Sequence, residues 1–452
     1  MMRSFVLASF GAFVAAAVGV GSAAAAPAAV VERSASQQEC EGPARRYCEE
    51  LERLAAEPAV RRALEHLEAT DDDAVRDLIT LTEIPAPPFM EERRGKAYAE
   101  MLREAGADSV WIDAAGNVIA LREGRPGGRV LAISGHLDTV FPEGTDVTVE
   151  QRGDTLFAPG IGDDTRGLVV VLQTLRALEA AEIETEADVL FIGTVGEEGL
   201  GDLRGVKQLF GPDGPKIDAF ISVDGSDDER IVNQALGSRR YRVTFKGPGG
   251  HSWGAFGTAN PAHALGRAIR LFDEAADRFT ADGARTSYNV GRIGGGTSIN
   301  SVPFEAWMEV DMRSESQARL MQIDSIFRAV VQTALEQQNE VRRRGPALTV
   351  DAKLVGDRPS GETDPEAPLV LRAAAATYHF GGEPRLQRSS TDSNVPISMG
   401  IPAITIGGGG ESHGSHSPGE WWMNRDGVRG IQRALLIVLA EAGLAGEAAS
   451  DG

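Results

Sequence analysis

Histidine and carboxylate side chains at the ends of apolar runs are the residues of this chain best suited to chemistry. The run at 130–134 leads into Gly135-His136-Leu137-Asp138-Thr139. A neutral imidazole is a first-choice zinc ligand. A carboxylate two residues along an extended chain lies on the same side, where it can accept a hydrogen bond from the other ring nitrogen and set the tautomer. Gly160-Ile161-Gly162-Asp163-Asp164-Thr165-Arg166-Gly167 places two carboxylates between flexible glycines and the start of a helix, so at least one can turn toward a cation. In Thr194-Val195-Gly196-Glu197-Glu198-Gly199, neighbouring side chains of an extended backbone point in different directions. One glutamate can then ligate while the other faces substrate as a general base. The run at 219–223 ends in Asp224-Gly225, and Gly407–Gly410 leads into Glu411-Ser412-His413-Gly414-Ser415-His416-Ser417-Pro418-Gly419-Glu420. A single acidic pair reads as a helix cap or a solvated loop. Four strand ends that each finish in His, Asp or Glu read as one cation site.

Such a site needs a sheet whose strand ends meet. The apolar runs at 130–134, 189–193 and 219–223, with helical spacing over 167–180, predict buried parallel strands covered by helices, an α/β core. Ligands of such sheets gather at the carboxyl ends of the strands. Helices are expected over about 44–69, 73–83, 91–106, 365–378 and 425–443, with Pro85, Pro87 and Pro88 interrupting the second and third, and another strand over 403–406. From 238 the pattern changes to alternating strands and two long helices, in the order strand, helix, strand, strand, helix, strand. That is the order of a ferredoxin-like α+β unit. The expected division is a leader at 1–26, a catalytic domain over 44–237 and 357–446, and an inserted domain over 238–356.

Composition narrows the function. With 452 residues and a net charge of −21, the chain is large enough for two or three domains and is a poor partner for nucleic acid. Two cysteines allow neither a disulfide scaffold nor a cysteine-ligated zinc fold. Arg3, the apolar run from Phe5 to Val20 and the small residues up to Ala26 form the pattern of a secretory leader. A periplasmic or secreted protein is expected, without membrane attachment after cleavage. Cys40 and Cys48 can pair in such a compartment, or remain as two free thiols.

The combination His-x-Asp, Gly-x-Asp-Asp, Glu-Glu, Asp-Gly and His-Ser-x-x-Glu, in this order over about 130–420, resembles the M20 family of metallopeptidases, among them peptidase T, carboxypeptidase G and several N-acyl amino acid deacylases. The resemblance implies a zinc-exopeptidase-type α/β catalytic domain with an inserted lid and dimerisation domain. It also implies two zinc ions, with cobalt or manganese as substitutes. His136 and Asp224 would hold one ion, Glu198 and His416 the other, and Asp163 would bridge them. Asp138 would orient His136, and Glu197 would be the base that activates a metal-bridged water. Gly247-Pro248-Gly249-Gly250-His251-Ser252 resembles the family's histidine-bearing lid loop, so His251 would stabilise the oxyanion, in its own or a partner's site. Asn300, within Gly294–Pro303, matches a substrate-contacting segment. Thr165-Arg166 departs from the family, in which many members carry lysine after the aspartates.

Arg313 and Arg358 can each anchor a substrate carboxylate through a guanidinium fork, or serve as surface salt bridges. The expected activity is exopeptidase hydrolysis of short peptides by a homodimer. The alternatives are an N-acyl amino acid deacylase on the same scaffold and, more remotely, a non-catalytic zinc-dependent binding protein.

Overall fold

The strands Val130–His136, Asp188–Thr194, Ala219–Val223 and Ala403–Ile406 are apolar at nearly every position and lie parallel at the centre of a nine-stranded sheet. The computed structural model describes residue 40 and residues 42–446, so the leader expected over 1–26 lies outside the described residues. Asp188–Thr194 and Ala219–Val223 flank Val130–His136 on opposite sides. The chain therefore reverses its direction of travel across the sheet beside His136, and a crevice opens at the carboxyl ends of strands where this happens.

Alternate residues of the central strands feed two cores. Leu131, Ile133, Phe191 and Ile221 pack with the helices Arg166–Ala180 and Val428–Ala442 and with the amino-terminal helices. Ala132, Leu190, Ile192 and Phe220 pack on the other face with Leu203, Val206 and Leu209. The helix expected over about 44–69 is two helices, Arg45–Ala56 and Pro58–Ala69. Between them Glu57 is extended, with ψ at 132°, because the Pro58 ring disfavours helical backbone in the residue before it. The antiparallel edge pair Ser109–Ile112 and Val118–Arg122 carries no long apolar run in the sequence and forms at the rim of the sheet. Cys40 and Cys48 are joined by a disulfide, with their Cα atoms 6.5 Å apart.

A second, four-stranded antiparallel sheet spans residues 237–358 in the spatial order Thr286–Gly295, Glu305–Ser314, Gly237–Lys246, Thr349–Arg358. The helices Pro261–Thr280 and Gln317–Glu340 cover one face. Tyr241, Val243, Phe245, Met308, Val310 and Met312, two residues apart along their strands, close a separate core around Phe272 and Phe327. The side chains of Asn260 and Ser316 cap the two helices by accepting backbone N–H bonds. The uncovered face carries Arg240, Arg242, Glu309 and Asp311, linked in ion pairs. No helix among the described residues is long and apolar enough to cross a membrane.

Candidate metal centre

His136 is the last residue of its strand and lies in register opposite Thr194, so the turn carrying Glu197 and Glu198 begins beside it. The ring is 2 % exposed. Its Nδ1 bonds the backbone carbonyl of Asp138 at 2.9 Å, which leaves Nε2 facing Asp163 Oδ1 at 3.1 Å. The Asp138 carboxylate was expected on Nδ1 but stands 3.8 Å away. Its oxygens accept the backbone N–H groups of Glu197 at 3.1 Å and Glu198 at 2.8 Å. Those two amides have no strand partner, so the buried carboxylate satisfies them while the carbonyl takes over the ring. Asp138 therefore aligns the glutamate pair and the histidine together.

Of the two adjacent aspartates, Asp163 joins the histidines, with Oδ1 on His136 and Oδ2 3.2 Å from His416 Nε2. Asp164 turns inward to accept the N–H groups of His136 and Gly167. The peptide bond between the two aspartates is cis. Glu198 Oε1 lies 2.8 Å from His416 Nε2. Ligand atoms of His136, Asp163 and Glu198 all lie within 4.8 Å of one another. Asp224, just past the end of Ala219–Val223, is half-buried nearby, and its pKa is raised, by desolvation first and then by the charge of Asp163. His413 points away, pairing with Glu411 and packing on Trp421.

Glu197 is buried, and desolvation raises its pKa well above the usual carboxylate range, against the opposing charge of Arg358. Arg358 is the main correction among the expected substrate contacts. It is 4 % exposed, with Nη1 3.0 Å from Glu197 Oε1 and 3.1 Å from Ser390 Oγ, while Nη2 bonds the Glu197 carbonyl. An uncompensated guanidinium at this depth is unfavourable, so it pairs with the nearest acid and is not free for a substrate carboxylate. Arg313 lies on the uncovered face of the second sheet, with Nε on Asp311 at 2.9 Å. Arg240 on that face donates to the carbonyl of Gly199 at 3.0 Å and so joins the second sheet to the glutamate turn.

His251 and Asn300 are exposed in the second unit, and no hydrogen bond or ion pair among the described residues links them to the cluster. His251 lies in a short strand opposite Ser301, and Asn300, in the turn just before that residue, accepts the backbone N–H of Ser252 at 2.8 Å. His251 Nδ1 accepts the backbone N–H groups of Trp253 and Gly254, both at 3.3 Å, leaving Nε2 as a donor. Arg166, the departure from the family pattern, is buried. It donates to the carbonyls of Gly408 and Gly427 and lies over the Trp422 ring, so it ties the aspartate loop to the carboxyl-terminal segment.

Two buried acids at the site received no role from the sequence. Asp392 accepts the Thr194 hydroxyl at 2.5 Å, and burial pushes its pKa up to about 6. Nothing in Thr391-Asp392-Ser393-Asn394 has ligand-like spacing, so only the fold reveals it. Glu420 is the last residue of the His-Ser-x-x-Glu motif, which was its sequence signal.

The donor chemistry fits a divalent cation. Neutral imidazole nitrogens and convergent carboxylates are standard zinc ligands, and the Asp138 carbonyl on Nδ1 orients the His136 ring. Burial raises the pKa of Asp163, but hydrogen bonds from His136 and His416 outweigh it and hold the pKa well below the usual range. In return, Asp163 and then Glu198 push the pKa of His416 from 6.5 up to about 10. A histidine raised in this way stabilises the fold fully below its unfolded value, and that contribution is lost as pH rises through the folded value. Metal-free protein is therefore expected to lose melting temperature as pH rises from 6.5 toward 10, measured by calorimetry. Zinc competes with the same protons, so its binding tightens with pH over this window and releases protons. A flat melting temperature and pH-independent affinity would contradict this.

An α/β sheet, parallel at its centre, that gathers histidine and carboxylate side chains able to hold a metal ion at its strand ends, with a buried glutamate beside them, is an arrangement suited to a hydrolase. The chain belongs to peptidase family M20/M25/M40, whose model matches residues 132–440. Among curated relatives, a Pyrococcus abyssi protein with the provisional name LysW-lysine/LysW-ornithine hydrolase is 26% identical over 362 residues, covering 78% of this chain and 90% of that protein. Succinyl-diaminopimelate desuccinylase of Corynebacterium glutamicum is 25% identical over 249 residues, covering 53% of this chain and 67% of that enzyme. Among solved structures, aminopeptidase PepT from Bacillus cereus superposes with a TM-score of 0.65 at 20% identity, covering 82% of this chain and 98% of that one. The protein is thus a peptidase or amidohydrolase of the M20 type.

Proposed function

We propose that the protein is an exported dizinc exopeptidase that hydrolyses amide bonds of short peptides. The observation that carries this reading is Asp163, whose two oxygens reach His136 and His416, with Glu198 on His416 and Glu197 buried alongside. His136 and Asp224 would hold one ion, Glu198 and His416 the other, with Asp163 shared between them. Bound zinc supplies a water of lowered pKa and polarises the scissile carbonyl. Glu197 accepts a proton from the attacking water and delivers it to the leaving nitrogen. Burial raises its pKa above the usual carboxylate range, the direction that favours holding the proton for the leaving nitrogen. His251 donates from Nε2 to the developing oxyanion once the second unit closes over the cleft or a partner subunit presents it. The leader pattern and the Cys40–Cys48 disulfide support a periplasmic or secreted location. A homodimer through the 238–356 domain is part of this reading, and sedimentation as a monomer at micromolar concentration would remove it.

Deacylation of N-acyl amino acids is the second reading, supported by the desuccinylase relative. The pairing of Arg358 with Glu197 also weakens the case for a carboxypeptidase-type anchor there, and Arg313 is itself paired to Asp311. The discriminating experiment incubates zinc-loaded protein with peptides bearing free, amino-blocked or carboxyl-blocked ends and with N-acetyl amino acids, and identifies the products by mass spectrometry. The expected result is chelator-sensitive cleavage of short peptides that requires a free terminus. Turnover of acylated amino acids alone would replace the peptidase reading with the deacylase one.

A further inference from the structure

Glu420 has no exposed surface, and its carboxylate is fully occupied by backbone donors. Oε2 accepts the N–H of Gly160 at 2.8 Å, and Oε1 accepts those of Gly162 at 2.8 Å and Asp163 at 3.0 Å. These amides belong to the loop that presents Asp163 to both histidines. The backbone of Glu420 holds the other partner of that contact. Its N–H donates to the Ser417 carbonyl, Ser417 closes on Gly414 through both its N–H and its hydroxyl, and His416 sits inside this turn. His416 has φ of +65°, a left-handed conformation uncommon for a residue with a side chain. The Glu420 carbonyl also accepts the N–H of Ala158, and its neighbour Trp421 pairs with Phe157. One side chain and its own peptide groups thus tie together two segments that are more than 250 residues apart.

The geometry points to Glu420 as a positioning residue that sets the distance between Asp163 and His416 and thereby the affinity of the cation site. The inference rests on the dizinc reading above, and the residue is not itself a ligand, because its oxygens face amides. Outer partners that orient metal ligands typically change affinity by about 10–100-fold when removed. Two substitutions separate geometry from charge. Glu420→Gln keeps the size but sets an NH2 group against one of the three amide donors. Glu420→Asp keeps the charge but is one methylene short of the loop.

The experiment measures zinc affinity of the full chain by competition with a chromophoric chelator. Melting temperature and circular dichroism of the metal-free proteins are recorded in parallel, with kcat and KM of the loaded proteins. Both variants are expected to remain folded, to bind zinc about 10–100-fold more weakly and to lose kcat more than KM. A role confined to folding would lower the metal-free melting temperature and leave affinity within about threefold of wild type, which would overturn the inference. Wild-type affinity in Glu420→Asp alone would also overturn it, since charge rather than reach would then suffice. A wild-type protein that takes up no zinc would instead overturn the dizinc reading, and the inference with it.

Discussion

Glu197→Gln is expected to lower kcat by about 10²–10⁴-fold while leaving bound zinc and KM close to wild type, as measured by steady-state kinetics with metal analysis on the same samples. The substitution is nearly isosteric. The amide oxygen of glutamine can still accept from Arg358, and the backbone N–H remains on Asp138, so the turn and the neighbouring Glu198 keep their places. Only the ability to take up and return a proton is removed. Glu197 contributes no atom to the group of ligand atoms formed by His136, Asp163 and Glu198, which is why metal content should be spared. A variant that bound metal and kept most of its turnover would show that another group is the base. Variants of Arg358 act on the same proton. Arg358→Met removes the charge that opposes protonation of buried Glu197, so the acidic limb of the pH–rate profile should move to higher pH.

Asp163→Asn carries the second large effect. Its carboxylate contacts both histidines, so replacing it weakens whatever binds between them on two sides at once. Asparagine keeps one oxygen but presents NH2 where one imidazole expects an acceptor, and it removes the negative charge that a bound cation would neutralise. Zinc affinity should fall by more than the roughly 10–100-fold typical of outer partners, and turnover should drop to background. The metal-free variant should also lose part of the pH dependence of its stability between 6.5 and about 10, because Asp163 is the first cause of the raised pKa of His416 and Glu198 the second. Asp164→Asn is the informative contrast. That carboxyl already accepts backbone N–H groups inside the protein, and burial keeps its pKa high, so the loss should appear chiefly in folding stability. Zinc titration and thermal denaturation of the two variants side by side would separate the roles. Equal zinc affinities in the two would refute the bridging assignment of Asp163.

The central strands could be read directly from the chain. Runs such as Val130–His136 and Ala219–Val223 are apolar on both faces, and only a sheet covered on both sides accommodates them. The same holds for the second unit, where Tyr241, Val243 and Phe245 alternate with Arg240, Arg242 and Thr244. Helix ends were less legible where a single residue decided them, as at Glu57 before Pro58. The edge strands Ser109–Ile112 and Arg385–Ser389 are largely exposed, so no hydrophobic period marks them.

The sequence by itself determined which residues lie at the carboxyl ends of the parallel strands, because a buried strand must end where its apolar run ends. It therefore located His136, the glutamate pair and Asp224, and through the family motifs His416. The tertiary structure alone decided how those groups share their bonds. It turned Asp164 onto backbone amides, placed the Asp138 carboxylate on two others, and committed Arg358 to Glu197. It also turned Glu420 onto the aspartate loop. In each case the deciding partner is far along the chain or is a backbone group, and a hydrogen bond between such groups leaves no periodic trace in the sequence. Burial then makes these bonds obligatory, since a polar atom without water must take whatever partner the fold brings within reach.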